Sequence, residues 1–536
     1  MAIERSRLSQ ALLAECYPWG NGPVTGFKNH EILVFLILYA SLTFLISPIF
    51  LVPGSPISAG IFLDLLILTI SFELSELLAA ALVKPHDLPK LDCLSEYPRV
   101  AVLYFVCDDL VPIALSQLSG ALYPNADVFI LDDSSNTRTK RLIDATGFRV
   151  IRRQGRTGYK AGNLNHWLWQ HGKDYKYFLI LDSDSIVPQG FLDSMIKYAE
   201  HPANAHVAIF NSVSECWNIQ SRFSRHLSLL ASVHNWTKLR LSNIADSVLS
   251  TGHNNLHRSQ AIIDVGGFDE NFIAEDISIT LKLVRAGYAS RLVNLIAYEA
   301  EPENIFSYVR RTARWAKQTI QIHRANWKGI PLSIKFQMFR LTWMYVSFFL
   351  YPIWALLTAW GTSSSLTNLQ GMIGSISNGE ISPLRVLTPF CIGVAFPLIF
   401  LLPKIPVLIT LEISIINYVG SCLLSLAIGF YSMLHVCWAQ IMAATNSEFA
   451  FDTTDKDNRS TTLWLIISHH WQLIPFWLFL AIGFWQNPIS LFLSLLWVLI
   501  LILAPLIIYL FHGDNHPVAD LTSTPIMSEV RGKKWS

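Results

Sequence analysis

The sequence predicts an α/β domain with an open, Rossmann-like sheet, inserted between membrane-crossing α-helices. Three observations predict it. Charge-free apolar runs of crossing length stand towards both ends of the chain, a central stretch has ordinary charge, and three apolar runs inside that stretch finish in acids. Composition agrees, because 52% hydrophobic against 15% charged residues is too little charge for 536 residues dissolved wholly in water. A net charge of +1 offers no basic surface to neutralise phosphates, which argues against a nucleic-acid partner. Seven cysteines, odd in number and without a CxxC pair, fit reduced thiols better than a disulfide framework or a zinc site.

An N-terminal segment, 1–31, precedes apolar spans at 32–52 and 57–83. The link between them lacks Lys and Arg. Arg5, Arg7 and Lys28 lie before the pair and Lys84, Lys90 and Arg99 after it, so 32–83 reads as a hairpin with both ends cytoplasmic. The first span starts too far from the N-terminus, with no small-residue cleavage site after it, to read as a signal peptide. Asp64, Glu73 and Glu76 are unusual in the second span, and acids in lipid are costly. Residues 84–340 read as the cytoplasmic domain. Further spans fall at 342–361, 386–402, 462–484 and 488–511, while 405–442 fits two tight crossings or one interfacial stretch. The parts after the domain are thus 341–445, membrane and interfacial helices; 446–461, a cytoplasmic loop; 462–511, a hairpin; and 512–536, a basic cytoplasmic tail.

Within the domain the three acid-ended runs are 99–109 (RVAVLYFVCDD), 126–136 (ADVFILDDSSN) and 175–185 (YKYFLILDSDS). Open α/β sheets bind ligands beyond the carboxyl ends of their strands, so these acids should converge on one crevice. Asp182 and Asp184 form a D-x-D. In an extended segment residues two apart point the same way, and two carboxylates suit Mg²⁺ or Mn²⁺ shared with substrate phosphates. Read alone, the pair is equally a solvated acidic turn. The segment GRTGYKAGNLN (155–165) sets Arg156 and Lys160 among glycines, suited to a phosphate or merely to a flexible basic loop. Glu275 and Asp276 open a helical pattern, where acids also serve as caps. RRTARWAKQ (310–318) places Arg310, Arg311 and Arg314 beside Trp315 on an amphipathic helix that would also suit a membrane surface.

In this order, Asp132–Asp133, Asp182-Ser183-Asp184, Ala274-Glu275-Asp276 and Arg311-Thr312-Ala313-Arg314-Trp315, with Lys-Ala-Gly-Asn-Leu-Asn at 160–165, resemble the motifs of membrane-integrated family 2 glycosyltransferases. These are the cellulose, hyaluronan and chitin synthase kind. The resemblance covers about residues 98–330. Arg311 and Ala274 depart from the usual Gln and Thr, and Thr251-Gly252-His253-Asn254 is closer to bacterial β-glucan synthases. Phe451-Asp452-Thr453-Thr454-Asp455-Lys456 is similar to the gating loop of cellulose synthase, though an ordinary polar connector reads the same way.

The resemblance implies a GT-A fold and an inverting, processive hexosyl transfer. It implies Asp276 as general base with Glu275 beside it, and Asp182 and Asp184 holding Mg²⁺ or Mn²⁺. Asp132, Asp133, Lys160, Asp182, Arg311, Arg314, Thr454 and Lys456 would hold the nucleotide-sugar donor, best matched by UDP-glucose. Trp315, His253 and Asn254 would hold a growing polysaccharide acceptor. The setting would be a multi-pass protein of the inner (plasma) membrane with its catalytic domain in the cytoplasm. Two alternatives share part of the evidence. One is a non-processive enzyme acting on a lipid or lipid-phosphate, or a synthase using UDP-GlcNAc or GDP-mannose. The other is a transporter with an accessory domain, suggested by Glu73 and Glu76.

Overall fold

The computed structural model describes residues 29–50, 57–82, 87–118, 123–219, 221–242, 247–350, 404–445, 461–469, 474–486 and 495–512, with isolated positions between 352 and 379. The sheet strands are β1 (Val100–Val106), β2 (Ala126–Asp132), β3 (Arg149–Ile151), β4 (Tyr177–Leu181), β5 (Val207–Cys216), β6 (Asn255–Arg258) and β7 (Ala289–Glu299). Their order is β3-β2-β1-β4-β6-β5-β7. All neighbours run parallel except β6, which is antiparallel to both β4 and β5.

The apolar runs are continuous because both faces of the sheet are covered. Val100, Val102, Tyr104 and Val106 pack into one core layer, and Ala101 and Leu103 into the other. Tyr177, Leu179 and Leu181 alternate with Phe178 and Ile180 in the same way. Each such side chain contributes about 1.5–3 kcal/mol when fully buried. The layers end where the acids begin, at the strands' carboxyl ends. Because β6 runs backwards, its amino end reaches that same rim and delivers the Thr251–Asn254 turn there.

Helices flank the sheet and join it to the apolar part of the chain. In chain order they are α1 (His30–Phe50), α2 (Ile57–Leu82), α3 (Pro112–Gln117), α4 (Thr137–Asp144), α5 (Tyr159–His171), α6 (Phe191–Glu200), α7 (Arg222–Leu241) and α8 (Ser259–Asp264). Then follow α9 (Glu275–Arg285), α10 (Ile305–Ile322), α11 (Leu332–Val346), α12 (Ile405–Thr410) and α13 (Ile415–Thr445). The last are α14 (Leu463–Ser468), α15 (Ile474–Gln486) and α16 (Leu495–His512).

Two of the described helices are long and apolar enough to cross a membrane: the Asp64–Leu82 part of α2, and α13. Most of the 405–442 stretch thus falls in one unbroken helix rather than two. After the short α12, α13 runs 31 residues without a break, about 46 Å at 1.5 Å per residue. The span expected at 462–484 is divided between α14 and α15. That expected at 342–361 overlaps the end of α11, which begins ten residues earlier at Leu332. The span at 386–402 and the loop with Thr454 and Lys456 lie outside the described residues.

The acids of the second span have partners. Asp64 accepts a 2.7 Å hydrogen bond from Tyr39, and Glu73 lies 3.9 Å from Lys404. Arg340 of α11 bridges Glu31 at 2.6 Å and Glu76 at 3.2 Å, tying α1 and α2 to the catalytic half. Helix-to-helix ion pairing accounts for these acids, which removes the sequence feature that suggested a transporter.

Candidate active site

A cavity of about 920 Å³ opens at the carboxyl rim of the sheet and extends to α2 and α11. Asp133, Lys160, Asp182, Asp184, His253, Glu275, Asp276, Arg311, Arg314 and Trp315 all line it. Residues spread over almost two hundred positions thus reach one space, as the strand ends required.

The D-x-D sits on a turn, not on extended chain as its spacing suggested. The Ser185 hydroxyl accepts from the Asp182 amide at 3.0 Å, and the Ser185 amide donates back to the Asp182 carbonyl at 3.0 Å. The turn is fixed from both sides: Ser183 donates to Asp109 at 2.8 Å, and the Trp217 indole donates to the Asp184 carbonyl at 2.9 Å. Lys160 stands beside it on the first turn of α5, with its ammonium 2.6 Å from Asp182, 3.0 Å from the Gly252 carbonyl and 3.9 Å from Glu275. From Tyr159 onward the glycine-rich stretch is helix, so only its first residues form a loop. Asn165 holds the Phe268 backbone through both a donated 2.9 Å and an accepted 2.8 Å bond, a purely structural role.

Glu275 and Asp276 open α9, where the Asp276 carboxylate accepts from the Ile277 amide at 2.8 Å. Gly252 packs directly against Asp276. Its φ is +79°, and a Cβ there would stand 2.9 Å from an Asp276 carboxylate oxygen. Next to it His253 lies 3.2 Å from Glu299 at the end of β7.

Two expected residues take other positions. Asp132 is 3% exposed and is not part of the cavity wall; its carboxylate is bonded to Arg152 at 2.6 Å. Successive residues of a strand face opposite ways, so Asp133 turns to the cavity instead, held by Arg153 at 2.7 Å. Asn254 is fully buried at φ 56°, with its amide donating to the Ile180 carbonyl at 2.8 Å. It shapes the turn behind His253 and is not itself at the cavity surface. Arg311 lines the cavity but is tied to Glu301 at 2.6 Å and stacked 4.7 Å above the Trp315 ring. From the cavity wall it also braces the Trp315 ring.

Residues 177–400 match the family model "Glycosyl transferase family group 2". The chain carries a glycosyltransferase family 2 domain. Cellulose synthase 1 catalytic subunit [UDP-forming] of Komagataeibacter xylinus is 26% identical over 243 residues, 43% of this chain and 32% of that protein. Glucans biosynthesis glucosyltransferase H of Caulobacter vibrioides is 25% identical over 37% of this chain and 33% of that one. Poly-beta-1,6-N-acetyl-D-glucosamine synthase of Staphylococcus aureus is 26% identical over 44% and 60%. The match thus spans about a third of the length of the first two curated relatives. Among solved structures, mannosyltransferase PcManGT from Pyrobaculum calidifontis, in complex with GDP-Man and Mn²⁺, aligns at TM-score 0.44 and 18% identity. That alignment covers 61% of this chain and 94% of that one. The mixed seven-stranded sheet is the GT-A fold expected of the domain.

In the electrostatics of this glycosyltransferase site, two carboxyls raised by burial share their surroundings with Lys160 and Arg314. Burial pushes the Glu275 carboxyl up to about 7, with Lys160 opposing and Asp276 reinforcing the shift. Burial also raises Asp276, against the Ile277 amide and Lys160. Arg314 is lowered by burial and drawn back by Asp182 and Glu275, so it senses the same acids as Lys160. Among the described residues no group of three or more His, Cys, Asp or Glu side chains forms a self-sufficient metal cage. Two carboxylates on one turn, already attracting an ammonium at 2.6 Å, fit a hard divalent cation that takes its other ligands from phosphates and water.

Asp109 is in the cavity wall as its strand end required, whereas sequence reasoning missed Trp217, Lys238, Glu299, Glu301 and Glu303, which line it too. The alternation Glu-Ala-Glu-Pro-Glu at 299–303, directly after an apolar run, was the available signal for the last three.

Proposed function

We propose that this chain is an inverting, processive glycosyltransferase. It would extend a β-linked glucan from a nucleotide diphosphate-sugar, with UDP-glucose the best-matched donor, and pass the product towards the bilayer. One observation carries the reading: the same cavity holds the D-x-D turn, the half-buried Asp276 and the Trp315 face, and continues to α2 and α11. The names of the relatives, two of them glucan or cellulose enzymes, support the donor and product class.

In the transfer, an acceptor hydroxyl oxygen attacks the anomeric carbon of the donor from the side away from the diphosphate. The new C–O bond forms as the bond to the β-phosphate oxygen breaks, and that electron pair leaves on the nucleoside diphosphate. Asp276 takes the hydroxyl proton; a carboxylate raised by burial is a stronger base than one in water. Lys160 and Arg314 stand on the side where the leaving charge develops. Asp182 and Asp184 would hold Mg²⁺ or Mn²⁺, which when bound supplies further neutralisation of the diphosphate. Asp133 is assigned to the nucleotide and Trp315 to the apolar face of the acceptor sugar, one of its own faces being covered by Arg311. Thr454 and Lys456, on a loop proposed to be cytoplasmic, would close over the donor. The protein would be multi-pass in the inner membrane with the sheet domain in the cytoplasm.

The test is incubation of purified membranes with labelled UDP-glucose, UDP-GlcNAc and GDP-mannose, followed by linkage analysis. Polymer from UDP-glucose, stopped by EDTA and restored by Mn²⁺, is the expected result. A single-sugar product on an extractable lipid would replace this reading with the non-processive one.

A further inference from the structure

Helix α7 turns one stripe of polar side chains into the same cavity, at a place that none of the motif residues occupies. His234 and Lys238, one turn apart, line the cavity between the reaction centre and the membrane helices. Helix α7 packs against both β7 and α2, with His234 3.8 Å from Glu76, so Lys238 stands between the β7 end with Glu299 and the α2 acids. It therefore marks the stretch a sugar chain would cross on leaving Asp276.

The cations of the wall differ in how they are engaged. Arg340 is paired with Glu31 and Glu76, Arg311 with Glu301, and Lys160 with Asp182. Among the described residues Lys238 has no carboxylate within 4.0 Å and no hydrogen-bond acceptor for its ammonium. Three N–H donors in a partly enclosed space are left for something that enters it. Burial pulls the ammonium below the ordinary lysine value, with Glu299 and Glu76 opposing, which is the balance of a cation held without a close partner.

The character of the wall selects the ligand. Around Lys238 the charges within reach are Glu299, Glu76 and Asp276 against Arg340, away from the D-x-D turn that would hold a neutralising cation, so a phosphate or carboxylate there meets mostly charges of its own sign. A neutral ring with many hydroxyls meets no such penalty. Its oxygens can accept from Lys238, and its hydroxyls can donate to carboxylates such as Glu299.

We propose that Lys238 forms an acceptor subsite beyond the reaction centre on the membrane side, binding an uncharged saccharide through hydrogen bonds from its ammonium. The proposal rests on the glycosyltransferase reading above and adds to it the class of acceptor and a residue that selects it. It sets an uncharged sugar chain against the lipid-phosphate alternative.

The experiment uses the full chain in nanodiscs, with Mn²⁺, UDP-glucose and β-linked gluco-oligosaccharides of four to six units as added acceptor. In K238M the oligosaccharide concentration giving half-maximal transfer is expected to rise about tenfold or more, the loss of a charged hydrogen-bond donor. K238R, which keeps charge and donors, is expected to recover most of that affinity. The Kd of UDP with Mn²⁺, measured by calorimetry, is expected to stay within about twofold, because the donor residues are elsewhere; a folding defect would change it too. The same oligosaccharide dependence in K238M as in wild type, or a parallel loss of UDP affinity, overturns the proposal. So does an isoprenyl phosphate that saturates the wild type and loses affinity in K238M. A wild type that consumes donor but ignores every oligosaccharide is a separate failure, and it overturns the polymer reading itself.

Discussion

At the scale of single residues, the acid pair Glu275 and Asp276, proposed as the catalytic pair, sets function against stability. Asp276 is raised because burial penalises its charged form. A raised acid contributes stability below its unfolded value and loses that contribution as pH climbs through the folded one. Above that point the ionised carboxylate costs stability, yet this is the form that the proposed proton transfer requires. D276N should therefore lower transfer by about 10²- to 10⁴-fold, while melting no lower than wild type at pH 8. That relative gain should vanish by pH 3, below the ordinary aspartate value of 3.8, where Asp276 is protonated in both folded and unfolded chains. Thermal melts at the two pH values, run beside initial rates, decide it; a mutant markedly less stable at pH 8 would make Asp276 structural. Asp132 and Asp133 show a second residue-scale lesson. Both stand at one strand end, and the alternation of faces sends one to Arg152 and the other to the cavity wall.

At the scale of elements, the turn before β6 and the start of α9 act as one unit. Gly252 has a left-handed φ, and its carbonyl receives Lys160 while its Cα faces Asp276. G252A adds about 1 kcal/mol or more of left-handed strain, together with a close contact to the base. The expected result is a fall in kcat of tenfold or more with a smaller change in donor KM, since the donor carboxylates lie on another turn. A steady-state comparison is enough; unchanged kcat would show that this loop adjusts freely. Helix α10 is organised on similar lines, with Glu301, Arg311 and Trp315 linked in sequence. Asn304 caps it by accepting from the Ser307 amide at 2.9 Å, and the far end of the chain adds a second bond, His512 of α16 accepting from the Ile305 amide at 3.2 Å.

At the scale of the whole molecule, Arg340 links the apolar helices to the catalytic half through Glu31 and Glu76. All three side chains are less than a quarter exposed. Removing one member of such a group leaves buried charge uncompensated, at about 3–5 kcal/mol. R340M should therefore lose stability on that order in nanodiscs, and the triple variant E31Q/E76Q/R340M should regain much of it. Denaturant or thermal unfolding measures both. If R340M loses less than about 1 kcal/mol, the level of an exposed pair, the junction is held by its apolar contacts instead.

The sequence by itself determined the class of this protein: apolar spans around an α/β domain, strands ending in acids, and an ordered set of motifs that announced a glycosyltransferase. Those features are local, because a strand's apolar run and a helix's first acids depend only on neighbours in the chain. Tertiary structure decided which acids face the cavity. Asp133 faces the cavity and Asp132 does not, Asn254 stays behind the wall, and Arg311 braces Trp315, because each outcome depends on partners distant in sequence. Likewise Lys238 looked like any helix lysine, and Glu76 like an intramembrane site. Only the folding of α7, α2 and α11 around one cavity separated the lysine that faces a ligand from the acid that is already paired.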